Sequence, residues 1–162
     1  MAWQSPVKAD KHFRMDFDIA AYFGMFFSAL VAATLLPSQS EIVLVGLLIA
    51  GEQPAWILIL VAIAGNVLGS SINWLLGAFF YRFHEKKWFP IKKDKLDKAV
   101  RIYSKYGRWS LFCSWVPLIG DPLTLVAGIL REPFYSFFII VLFAKAFRYV
   151  VVAGVTLSWM AA

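Results

Sequence analysis

From residue 19 onward the chain is dominated by apolar residues, and its polar interruptions fall at two places that match. Eighteen uncharged, mostly apolar residues, IAAYFGMFFSALVAATLL (19–36), lead into Pro37, Ser38, Gln39, Ser40 and Glu41, and ten more, IVLVGLLIAG (42–51), follow. Further on, WSLFCSWVPLIGDPLTLVAGIL (109–130) is broken by Pro117, Gly120, Asp121 and Pro122. Two other runs continue: residues 55–81, which are 27 positions without a charge, and residues 134–162, 29 positions interrupted only by Lys145 and Arg148. A helix of about 20 apolar residues crosses a hydrocarbon core. Both long runs are therefore expected to be spanning helices.

A shift of 80 residues lays Pro37 over Pro117, Glu41 over Asp121 and Glu52 over Glu132. Each copy reads in the same order: apolar arm, proline, acid four residues later, short apolar arm, polar turn, spanning segment. Proline and glycine clustered within a few residues cannot continue a regular helix. An arm of ten residues spans only ~15 Å, half of a ~30 Å hydrocarbon core. The pattern predicts two re-entrant helical hairpins, the first with a longer entering arm. Broken backbone at membrane depth must face protein or a polar cavity. If each hairpin returns to the side it left, the halves are inverted, the plan of many transporters. A rival topology, with 19–36 crossing fully and 38–51 folded otherwise, stays open.

The expected architecture is thus an all-α polytopic membrane protein in one integral domain, residues 1–162. Repeat one covers about 19–81, a basic connection 82–108, and repeat two about 109–160. Sixty per cent hydrophobic and 17 per cent aromatic residues exceed what a soluble domain carries. The net charge is +6, and ten Lys or Arg against three acids put +7 into 82–108 alone. Such a connection is expected to be cytoplasmic, by the positive-inside rule. Within it Leu96, Val100 and Tyr103 follow helical spacing among lysines, which predicts a basic amphipathic helix on anionic headgroups. The alternative is a loop whose charges only fix orientation. A patch so short and tied to membrane argues against nucleic acid.

The single cysteine, Cys113, excludes an internal disulfide or thiolate cluster, and is expected to be a small buried apolar residue. His12 and His84 share no metal-like spacing, so no metal or cofactor is expected. No nucleophile–base pair stands out, which argues against an enzyme.

Glu41 and Asp121 occupy matching positions in apolar surroundings, where a carboxylate costs at least ~2.5–3.5 kcal/mol. They are read either as a protonation site or as caps accepting N–H bonds at half-helix N-termini. Lys145 and Arg148, at i and i+3, share a helix face. They are read as an anion site or as counter-charges to the two acids. Gly65, Gly69 and Gly77 repeat every four residues, with Asn73 completing the row, which suits close helix packing. Asn66 and Asn73 are expected to bond the broken backbone. Pro37, Pro117 and Gly120, with Ser38, Gln39 and Ser40, supply turn chemistry. Trp74, Trp115 and Trp159 are expected to pack against lipid or the interface.

LLPSQSE, AGNVLGSSINWLLG, CSWVPLIGDPLTLVAGIL and AKAFRYVVVAG together resemble the DedA family of the wider VTT (SNARE-associated Golgi protein) superfamily, in its small YqaA-like branch. The resemblance covers about residues 25–155. It implies an inner-membrane transporter of flippase or scramblase type, moving a lipid or a lipid-phosphate carrier such as undecaprenyl phosphate, with proton or potential coupling. It also implies roles in envelope integrity and in resistance to alkali or cationic peptides. Better-studied members carry arginine three residues before and three after the second proline; here Ser114 and Gly120 stand there. Expected partners are membrane lipids, among them a polyprenyl phosphate, and a second copy of the chain. The alternatives are proton-coupled export of a cation or cationic drug, and a membrane scaffold or assembly factor.

Overall fold

The computed structural model of the chain describes residues 11–34, 39–80, 93–116 and 119–162. Pro37, Ser38, Pro117 and residues 82–92 of the basic connection therefore lie outside the described residues. The elements are α1 (Lys11–Thr34), α2 (Gln39–Ala50), α3 (Ala55–Phe80), α4 (Lys93–Tyr106), a 3₁₀ segment (Gly107–Trp115), α5 (Gly120–Ile129) and α6 (Phe134–Ala161). No strand occurs among the described residues. With 26 and 28 residues, α3 and α6 are ~39 and ~42 Å long, enough to cross a bilayer core.

Both broken segments fold back on themselves. Gln53 Nε2, after α2, donates to Asp18 Oδ1 in α1 at 3.1 Å. Tyr103 of α4 donates from its hydroxyl to Glu132 Oε2, after α5, at 2.7 Å. Each hairpin is thus tied at its base by one side-chain hydrogen bond. The first arm is the longer one, as the sequence suggested, and the second takes an unforeseen form. α1 has 24 residues, but only Asp18–Ala33 of it is apolar, shorter than a spanning helix needs. The entering arm of the second hairpin is a nine-residue 3₁₀ helix, unusually long for that conformation, whose steeper ~2 Å rise reaches deeper per residue.

The packing repeats with the halves exchanged. Gly65 meets Phe26 and Ala29, and Gly69 meets Leu30 and Ala33, so α1 lies parallel to α3 in its own repeat. Gly77 meets Leu125 and Ile129, and Gly128 meets Trp74, so α5 lies parallel to α3 of the other repeat. A Cβ at Gly77 would run into the Leu125 carbonyl, and one at Gly128 into the Trp74 carbonyl; the two helices cross backbone to backbone. The glycine row is therefore shared, Gly65 and Gly69 serving α1 and Gly77 serving α5. On α6, Trp115 of the 3₁₀ segment meets Phe147 edge-on, while Ser40 of α2 meets Tyr149.

Two apolar cores result, one at each end of α6. Leu111, Leu123, Val126, Phe137 and Val141 pack with Ala99 and Tyr103 in the first. Met25, Ala29, Leu44, Leu58, Tyr149 and Ala153 form the second. Large apolar side chains such as Phe23, Ile42, Phe79 and Trp159 stay exposed, as lipid-facing residues do.

α4 forms as its spacing predicts, but its inner face is Ala99 and Tyr103, while Val100 is 36% exposed. The side chain of Leu96 lies outside the described residues. That face packs on the protein, and Lys98, Arg101 and Lys105 point outward. Cys113 is exposed, contrary to expectation, because Leu111 and Ser114 take the inner positions of the 3₁₀ segment.

α5 ends in a Schellman cap, with Arg131 N–H on Gly128 O at 3.0 Å and Glu132 N–H on Ala127 O at 2.9 Å. The cap places Arg131 at φ +54°. Its counterpart 80 residues earlier is Gly51, at φ +69°. A side chain in this left-handed region costs ~1–2 kcal/mol that glycine avoids.

Candidate functional site

Between the two apolar cores α6 carries its only charges. Lys145 follows Val141, and Arg148 precedes Tyr149, so both cations lie in the layer where the cores separate. Each is met by the acid of one hairpin. Lys145 Nζ bonds Asp121 Oδ1 at 3.1 Å, with the lysine side chain 1% exposed and the aspartate 16%. Arg148 Nε donates to Glu41 Oε1, with exposures of 9% and 23%. Both acids stand in the first turn of a short helix, α2 or α5, where the helix dipole favours negative charge. At Asp121 the carboxylate reaches Lys145 while no side chain caps the α5 N-terminus.

Neutral polar groups extend this layer. Asn66 Nδ2 donates to the Tyr149 hydroxyl at 2.9 Å, and Ser40 Oγ lies 2.8 Å from the same oxygen. Asn66 thus bonds a side chain, not the broken backbone expected for it. Asn73 does bond backbone, donating to Ala33 O at 2.8 Å beside the end of α1, with Thr124 Oγ1 at 3.4 Å. Ser40 is buried in α2 instead of serving a turn. Asn66 Oδ1, Ser70 Oγ and Ser114 Oγ are buried without a hydrogen-bond partner among the described residues. Gly120 fits tightly: a Cβ there would stand 2.8 Å from Ser114 Cα, so this chain's hairpin leaves position 120 no room for a long side chain.

A cavity of about 370 Å³ opens on this layer, lined by Glu41, Trp115, Val116, Arg148, Val151 and Val152. One carboxylate and one guanidinium form its polar wall, and the rest is apolar. Asp121, the matching acid, lies outside this lining, held by Lys145. Trp115 was read as lipid packing and is a cavity wall. Tyr149, the hub of the neutral network, escaped sequence reading because a tyrosine in an apolar run carries no signal of its partners.

Two crossing helices, two folded-back hairpins and a charged layer at mid-helix define a helical membrane protein with a polar interior. The chain belongs to the VTT-domain (DedA) family, whose domain matches residues 36–157. It is 38% identical to the Inner membrane protein YqaA of Escherichia coli over 138 residues, 85% of this chain and 92% of that protein. An uncharacterized protein of Haemophilus influenzae is 32% identical over 133 residues, 78% of this chain and 81% of the other. Undecaprenyl phosphate transporter A of Staphylococcus aureus is 33% identical over 63 residues, 37% of this chain and 31% of that protein. No solved structure matches.

Proposed function

We propose that the chain moves a lipid or lipid-phosphate carrier across the bilayer with protons, through the cavity at Glu41 and Arg148. The observation that carries this is the cavity's lining: a single ion pair set in otherwise apolar walls. Such a surface suits an amphiphile whose charged head meets the pair and whose chain lies against Trp115 and Val151. A guanidinium binds phosphate oxygens through two parallel N–H bonds. The partial similarity to a protein named for undecaprenyl phosphate transport supports the same substrate class.

Charge counting gives the coupling. Glu41 neutralises Arg148, and Asp121 neutralises Lys145. An anion enters without leaving a buried net charge only if Glu41 takes up a proton and releases Arg148. One proton then accompanies one negative charge. The two hairpins re-enter from opposite faces, residues 82–108 face the cytoplasm, and α3 and α6 are the crossing helices. The chemistry is transport and not catalysis.

A second reading is proton-coupled export of a cation. Glu41 is 23% exposed against 9% for Arg148, so the acid is the more accessible member of the pair. Positions 114 and 120 also lack the arginines of better-studied relatives.

The test uses purified protein in liposomes. Transbilayer movement of a fluorescent phospholipid and of a polyprenyl phosphate is followed with and without a pH gradient, for wild type and folded Glu41→Gln, Asp121→Asn and Arg148→Ala. Movement of either lipid that the variants lose supports lipid transport. If neither lipid moves but a pH gradient drives uptake of a cationic dye, export of cations replaces it.

A further inference from the structure

Away from the charged layer, the end of α5 and the end of α3 flank a second, open cavity of about 440 Å³, with Arg131 exposed at its rim. Trp74, Phe79, Arg131, Glu132 and Phe134 line it. Its floor is held in place: Trp74 Nε1 donates to Glu132 O at 3.2 Å, the Trp74 and Phe134 rings meet edge-on at 5.2 Å, and Tyr103 bonds the Glu132 carboxylate. The walls toward the helix exteriors are apolar, and Phe79 is 74% exposed.

The cation in this cavity stands where backbone geometry disfavours any side chain. Arg131 is the left-handed residue of the α5 cap, and the matching position of the other repeat is Gly51. Strained positions of this kind mark places where the side chain has a task. Arg131 has no ion-pair partner among the described residues. Lys98, Arg101 and Lys105 are exposed on α4, which packs at the same end through Tyr103. The end is therefore basic and flanked by aromatic rings, the setting of a headgroup at a membrane interface.

We infer that the cavity is a binding site for an anionic phospholipid, with the lipid phosphate on Arg131 and an acyl chain along Phe79 and Phe134. This site is separate from the Glu41–Arg148 cavity, and it stands whether or not lipid is transported.

The experiment titrates the full-length protein in mild detergent with short-chain phosphatidylglycerol, and in a parallel arm with glycerol phosphate. It reads the unfolding midpoint by tryptophan fluorescence, for wild type, Arg131→Gly and Arg131→Asn. Both replacements tolerate the left-handed backbone. The expected result has opposite signs for one residue. Without lipid, Arg131→Gly unfolds at a higher temperature than wild type. With lipid, both variants need roughly tenfold more phosphatidylglycerol for half of their stabilisation. Variants that respond at the wild-type concentration would overturn the site. Glycerol phosphate protecting as well as the lipid would overturn the lipid assignment.

Discussion

Arg148 and Glu41 form an ion pair across 107 positions of sequence, joining the long helix α6 to the short helix α2. Its companion, Lys145 with Asp121, joins the same long helix to its own repeat's hairpin. The acids obey the 80-residue repeat and the cations do not, since both stand on α6. α6 is thus the element to which the first turns of both α2 and α5 are fastened.

Removing one member of the Arg148–Glu41 pair strands the other in an apolar layer. Arg148→Gln is expected to lose about 3 kcal/mol, the low end for orphaning a buried charge, because Glu41 keeps some solvent access. The double variant Glu41→Gln/Arg148→Gln should lose less than Arg148→Gln alone. A double-mutant cycle of denaturation in detergent checks this, and additive losses would show that the two groups do not interact.

Two glycines should respond oppositely to the same methyl group. Gly128→Ala puts a Cβ into the Trp74 backbone and should cost about 1–3 kcal/mol as α3 and α5 are forced apart. Gly154→Ala on α6 meets nothing within 4 Å and should gain up to ~1 kcal/mol from helix propensity. Thermal midpoints in detergent compare the pair directly.

Burial raises the Tyr103 phenol above its ordinary value of 10.0, and the Glu132 carboxylate that accepts its hydrogen bond raises it further, against a smaller opposing effect of Arg108. The folded state holds this proton more tightly than the unfolded one. Its contribution to stability is therefore fully present below about pH 10 and is lost as pH rises through the raised value. Tyr103→Phe should be less stable than wild type at neutral pH, and the gap should narrow above pH 10. A gap that stays constant through the alkaline range would rule out this linkage.

Much of the fold was legible in the chain. Crossing lipid demands length and apolar content, so 55–81 and 134–162 identify themselves, and α3 and α6 follow. Proline and glycine mark the two breaks whatever surrounds them. The shift that pairs Glu41 with Asp121 needs only counting. Lys145 and Arg148 announce themselves because charge in an apolar run is expensive.

What the chain could not show depends on contacts between distant residues. A spacing of i and i+3 puts Lys145 and Arg148 on one face but does not say which acid each meets; the packing of α2 and α5 on α6 decides that. Asn66 finds Tyr149, and Asp18 finds Gln53, only because the hairpins close. Arg131 looks like any turn arginine until the cap of α5 turns its backbone left-handed and sets it at the rim of a cavity beside α3. Local sequence determines which segments can be helix and where they must break, because those energies are set within a few residues. Which polar groups meet is decided by the tertiary fold, because each such energy needs a partner from elsewhere in the chain.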